Sequence, residues 1–131
     1  MSNEFRGAGN VGDQPRLKTV RVGNEERQVA ELRVYFDEYR QDAGGGLEQA
    51  GGFWLDVNVW GERHAAEVVQ IVRKGARVHV VGKLAESSWT VTATGEERRA
   101  LYLNADQLFL SLARVDEVRF KPRRDAQDTR A

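Results

Sequence analysis

Between positions 53 and 60 the chain alternates: Phe53, Leu55, Val57 and Val59 take one parity, and Trp54, Asp56, Asn58 and Trp60 take the other. A period of two belongs to a β-strand with one side in the core. The opposite side should be polar, yet it carries two indoles among its acid and amide. Whatever fold this chain adopts must bury the first face and find a use for the second.

The same period recurs along the chain. Residues 16–22 alternate weakly, with Leu17, Thr19 and Arg21 against Lys18, Val20 and Val22. Residues 29–36 alternate more clearly, with Ala30, Leu32, Val34 and Phe36 on one face and Glu31, Arg33 and Tyr35 on the other. In residues 77–84, Val78, Val80, Gly82 and Leu84 oppose Arg77, His79, Val81 and Lys83. Residues 87–102 predict a hairpin turning at Thr94-Gly95-Glu96, and residues 108–112 close the ordered part. Only residues 62–74 change period: Ala65, Val68, Val69 and Val72 form a helical stripe. Gly75 is the expected C-cap, and Arg73-Lys74 complement the helix dipole. Residues 40–52, with Gly44-Gly45-Gly46 and Gly51-Gly52 among polar neighbours, predict a long mobile connection.

Strands with one helix between the third and fourth, then a hairpin, give a mainly β fold: a five-stranded Greek-key barrel of the oligonucleotide-binding (OB) type. No internal repeat suggests a solenoid. The expected domain is 1–113, and 114–131 is expected to be a flexible basic and polar tail, passing through Arg119-Phe120-Lys121-Pro122-Arg123-Arg124 after Val118.

Composition narrows the function. There is no cysteine, which removes disulfides, thiolate catalysis and Cys-based metal sites. His64 reads as a solvated helix residue and His79 as a surface or interface residue on a strand, so no metal and no cofactor is expected. Asp37-Glu38 and Glu96-Glu97 read as solvated neighbours, and no catalytic set is present, so an enzyme is not expected. The 131 residues make one soluble domain, with no run near the ~20 apolar residues of a membrane span. No secretory signal pattern opens the chain, so the cytoplasm is the expected compartment. Twenty Lys and Arg balance 20 Asp and Glu, which argues against wrapping a duplex by charge alone.

Single-stranded nucleic acid suits the aromatic face. Every base offers a π face, and stacking on Trp or Tyr contributes about 1–3 kcal/mol per base without reading sequence. Trp54 and Trp60, about 20 Å apart along a strand, would support two different bases. Trp89 and Tyr39 stand at the starts of the hairpin and the long connection. Arg33, Arg73, Lys74, Arg77, Lys83, Arg98 and Arg99 are the candidates for phosphate. A lone exposed Trp is explained as well by a subunit interface; two on one strand face, with Trp89 and Tyr39 beside them, favour a stacking ligand. Tyr35 remains open between stacking and packing.

The chain resembles the bacterial single-stranded DNA-binding protein family from about Gly9 to Leu112. Gly9-Asn10-Val11-Gly12-Asp13-Gln14-Pro15 is similar to the family's opening Gly-Asn-Leu stretch, and Phe53 through Gly61 to its third strand, where a Trp and an aromatic six positions on precede Gly. Arg73-Lys74-Gly75 through Gly82-Lys83-Leu84 resembles its helix end and fourth strand, and Ser88-Trp89-Thr90 with Thr94-Gly95-Glu96 its hairpin. The resemblance implies base stacking on Tyr39, Trp54, Trp60 and Trp89. It also implies a homotetramer, with a dimer open, that coats single-stranded DNA in replication, recombination, repair or transfer.

The loop over 40–52 and the hairpin over 87–102 would clamp the strand and become ordered on binding. Three features depart from the family pattern. The stretch Asp128-Thr129-Arg130-Ala131 does not match the family's acidic tail finishing in an apolar residue, so recruitment of replication or repair enzymes through such a tail is not among the expectations. The stretch from Phe5 to Gly9 is poorer in apolar residues than the family's first strand, and Leu55 replaces a His that often follows the Trp. Two rival readings stand beside this one: a protein-interaction module of a primosome-like, mobile-element or secretion assembly, and an RNA chaperone.

Overall fold

The computed structural model of the protein describes residues 3–123. Its elements, in order, are strands β1 (Asn3–Val11), β2 (Arg16–Val22), β3 (Glu25–Gln41) and β4 (Leu47–Trp60), helix α1 (Glu62–Ile71), and strands β5 (Arg77–Thr90) and β6 (Glu97–Leu110). β1 pairs with β5, β5 with β6, β6 with β4 in parallel, β4 with β3, and β3 returns to β1 through Asn10↔Tyr35 and Val11↔Val34. Those five strands close a ring, which is the predicted OB barrel. β2 stands outside the ring on the remaining half of β3, from Arg16↔Glu31 to Val22↔Glu25. The strand total is therefore six, and the helix falls between the fourth and fifth; β1 and β2 are two pieces of one edge that bends at 12–15.

Alternation decides what fills the ring. Val34, Val57, Val78, Val80 and Leu103 are fully buried, and Leu32, Phe36, Leu55 and Val59 join them from the same parities. Ala65 and Val68 of α1, with Val72 just after it, belong to the same core, so the helix covers one end of the barrel. Phe53 has core parity but stands at the rim, edge-on to Phe5 at 6.1 Å and tilted to Phe36 at 5.9 Å.

Three boundaries differ from expectation. The helix stops at Ile71, not Lys74, because Val72 turns to extended backbone and sinks into the core. Gly75 is then not a helix cap but a left-handed residue (φ 89°) of the turn into β5, where its N–H donates to the Val11 carbonyl at 2.8 Å. Residues 40–52 are not a mobile connection: β3 and β4 stay paired out to Gln41↔Leu47, with a bulge at Glu38/Tyr39. A two-stranded arm outside the core needs no apolar alternation, since its backbone hydrogen bonds suffice, and so it carried no periodic signal. Asp42 closes its tip, its Oδ1 accepting from the N–H groups of Gly44 and Gly46 at 3.0 and 2.8 Å.

The predicted strand at 77–84 and the hairpin at 87–102 likewise form one continuous pair, β5 and β6, whose outer half leaves the core beyond Leu84. Residues 108–110 end β6, and Leu112 lies beyond it, exposed. No helix or strand follows up to residue 123, and the rest of the expected tail, 124–131, lies outside the described residues.

The barrel closes tightly at Gly82, beside a register shift in the β5–β6 ladder. A Cβ there would lie 2.2 Å from the Asn104 carbonyl oxygen and 2.8 Å from the Ala105 Cα. Both are backbone atoms, so the ladder itself must yield. Gly82→Ala is expected to destabilise the barrel by about 1–3 kcal/mol through overpacking, read as a lower urea midpoint at unchanged m-value; an unchanged midpoint would refute the account.

Candidate nucleic-acid interface

The register of β3, β4 and β6 builds the polar face in rows. Tyr35 stands opposite Trp54, Arg33 opposite Asp56 and Glu31 opposite Asn58, and β6 adds Tyr102 beside Asp56 and Asn104 beside Asn58. Along this face runs an open groove of about 530 Å³, lined among others by Arg16, Arg33, Asp56, Trp60, Tyr102 and Asn104. Alternation on β4 thus places Trp54 and Trp60 where expected, 47% and 37% exposed. Half-exposure of an indole leaves a ring face for a ligand while the other side is supported.

Each indole is held. Trp54 rests over the Gly12 backbone, so closely that a Cβ at Gly12 would lie 2.5 Å from its Cζ3. It is flanked by Tyr35 at 5.1 Å between centroids and by the Arg33 guanidinium 5.4 Å from its ring centre. Tyr35, left open by the sequence, here packs on Trp54. The Trp60 indole N–H donates to Asn104 Oδ1 at 3.0 Å, which fixes the ring and leaves its face available. Neither Tyr102 nor Asn104 was picked out from sequence, although alternation past the hairpin places both on one parity.

Trp89 and Tyr39 lie on the two arms, about half exposed. On the β5–β6 arm Trp89 pairs with Arg98 and Ser87 with Ala100. They share the parity of Tyr102, so that arm continues the groove's face. Arg99 falls on the other parity, near Glu86 at 3.9 Å and Glu97 at 3.6 Å. Tyr39 sits just past the bulge, its hydroxyl donating to Asp37 Oδ2 at 3.3 Å.

The other phosphate candidates divide by what already holds them. Arg33 bonds Asp56 at 2.7 Å with both groups half exposed, a pairing worth about 0–1 kcal/mol that a phosphate can replace. Arg98 pairs with Glu96 at 3.3 Å. Lys83 lies one strand beyond Asn104, at 4.0 Å from Asp106. Arg73 donates to the Val69 and Val72 carbonyls at 3.3 and 3.5 Å, serving the helix end. Lys74 is exposed in the turn beside it.

Arg77 does not stand free for phosphate: it makes a two-pronged bond to Asp37 at 2.8 and 3.0 Å and a third to Asn10 at 3.2 Å. Nor is Asp37 a solvated acid, since its side chain is 3% exposed. The hydrogen bonds from Arg77 hold its carboxyl below the usual range against the opposing effect of burial. His64 stands exposed on α1 near Glu67, and His79 is exposed on β5 opposite Ala8 and Phe109.

Asp13, Glu31 and Asp56 line the groove alongside Arg16 and Arg33. The charge of this face is therefore mixed, not uniformly basic.

Comparison with known proteins agrees with this geometry. The profile of the Single-strand binding protein family matches residues 3–111. A "Single-stranded DNA-binding protein" of Rhizobium meliloti is 32% identical over 90 residues, 69% of this chain; the chain spans about half, 49%, of that relative's length. Among solved structures, a small single-stranded DNA-binding protein from Streptomyces coelicolor superposes with a TM-score of 0.70 at 18% identity, covering 87% of this chain and 98% of the other. A Plasmodium falciparum SSB in complex with ssDNA superposes with a TM-score of 0.68 at 21% identity, covering 85% and 96%. The structural likenesses establish the shared barrel, and the profile match over most of the chain establishes kinship: this chain belongs to the single-strand binding protein family.

Proposed function

We propose that this chain binds single-stranded DNA without reading its sequence and protects exposed strands in the cytoplasm during replication, recombination, repair or transfer, without catalysis of its own. One observation carries the reading: two half-exposed indoles stand on the polar side of β4, Trp54 held by Tyr35 and Arg33, and Trp60, which lines the groove, held by Asn104. Stacking on flat rings is indifferent to base identity. In this reading the domain 1–113 carries the site. Tyr39 and Trp89 extend the stacking surface from the two arms, and Arg33 and Arg98 meet phosphates with help from Lys74 and Lys83. The family resemblance supports a homo-oligomer, tetramer or dimer.

The test is a titration of tryptophan emission with poly(dT) and with duplex DNA of matched length. Strong quenching by the single strand alone is expected. The logarithm of affinity should fall with the logarithm of salt at a slope near −0.7 per phosphate contact, with only a few contacts per subunit. Equal quenching by the duplex, or none by either, would overturn the reading.

A further inference from the structure

We propose that Arg119-Phe120-Lys121-Pro122-Arg123 is a second single-strand contact outside the barrel, with Arg119, Lys121 and Arg123 on phosphates and Phe120 stacked on a base; this rests on the single-stranded DNA reading above. Charge distribution is the first argument. Residues 1–113 hold 14 Lys and Arg against 16 Asp and Glu, a net −2, whereas residues 114–131 hold six against four, a net +2. Four of those six cations fall within 119–124, with no acid among them. A net-negative barrel that binds a polyanion gains from cations placed beyond it, since each phosphate contact adds a salt-dependent increment of affinity.

The state of the cations is the second argument. Arg33, Arg77, Lys83, Arg98 and Arg99 each stand within ion-pairing distance of a carboxylate. Among the described residues no carboxylate stands within ion-pairing distance of Arg119, Lys121 or Arg123.

Phe120 supplies the third argument, being 85% exposed. An aromatic ring left in water between basic residues has the make-up of a strand-tracking segment, where stacking and phosphate contact alternate. Pro122 biases Lys121 toward extended backbone, which spaces alternate side chains about 7 Å apart and lets bases and phosphates be met in turn. Eight residues, 111–118, separate the end of β6 from Arg119. Extended, they span up to about 28 Å, more than the distance between Trp54 and Trp60, so a strand leaving the groove remains within reach.

The experiment uses the 131-residue chain, the triple variant Arg119→Gln/Lys121→Gln/Arg123→Gln, and Phe120→Ala, each titrated with poly(dT) through tryptophan quenching across a salt series. The triple variant should show a salt slope shallower by about 2, three contacts at about 0.7 each, and at least about tenfold weaker binding at low salt. Phe120→Ala should weaken binding about fivefold or more at an unchanged slope. Melting temperatures should match the parent, because these side chains lie outside the core. Parent-like slope and affinity in the triple variant would overturn the proposal and leave the segment to an acidic protein partner. A parent-like Phe120→Ala would overturn the base contact. If the parent chain itself fails to bind poly(dT), the single-strand reading fails, an outcome distinct from a parent that binds and a tail that contributes nothing.

Discussion

In the double variant Trp54→Ala/Trp60→Ala, affinity for a dye-labelled dT oligonucleotide, followed by anisotropy, should fall between about thirtyfold and about twenty-thousandfold. Each indole contributes about 1–3 kcal/mol of stacking, and every 1.4 kcal/mol is a factor of ten. Six residues of extended strand separate the rings by about 20 Å, beyond the distance at which side chains normally couple, so the two losses should add. Trp54 also supports its neighbours: without it Tyr35 and the Arg33 guanidinium lose a packing partner, and Arg33 is left to Asp56 alone. The matching variant Trp54→Phe/Trp60→Phe keeps a ring at each place and should regain most of the affinity. A double alanine variant within twofold of the parent, with a normal melting curve, would remove the aromatic face from the mechanism.

The barrel and its aromatic face were legible from sequence for one physical reason. Burying one side of a strand imposes a period of two, so wherever β3, β4 and β5 touch the core the residues announce it, as Val34, Val57 and Val80 do. Trp54 and Trp60 could then be located by what they interrupt. The β3–β4 arm was not legible because it leaves the core: from Asp37 to Gln41 the strand is held by backbone pairing, for which side-chain pattern is no guide; the β5–β6 arm was legible through its turn at Thr94-Gly95-Glu96, which the hairpin predicted over 87–102 carries. Arg77 and Asp37 illustrate the other limit. They lie 40 residues apart, and nothing local reveals that β1 carries Asn10 between them as the ring closes. By position alone Arg77 reads as a cation beside a basic turn and Asp37 as an acid beside a second acid; their pairing comes only from the closed ring.

That pair sets up the largest expected change in stability. Asp37 leaves the core at the root of the β3–β4 arm, and Arg77 opens β5; together they tie the arm that carries Tyr39 to the far side of the ring. The carboxylate is almost wholly buried while the guanidinium keeps about a quarter of its surface in water. Removing the acid strands a mostly desolvated charge, which costs about 3–5 kcal/mol for fully buried pairs; the partial exposure of Arg77 argues for the lower end. Asp37→Ala should thus cost about 3 kcal/mol, a fall in melting temperature of about 10 °C in a domain of this size. Asp37→Ala/Arg77→Met, which removes both charges, should recover much of that loss.

The pH dependence has a fixed sign. The folded-state pKa of Asp37 is lowered from its ordinary 3.8, so its contribution is fully present above the unfolded value and is lost as pH falls through the folded one. The parent should lose stability progressively below about pH 4, and Asp37→Ala should lose less over the same range. If Arg77 instead served phosphate, Asp37→Ala would release it, and binding of dT oligonucleotide would tighten at an unchanged melting temperature. A lower melting temperature without tighter binding is the result expected of a strap that holds the barrel and its arm in register.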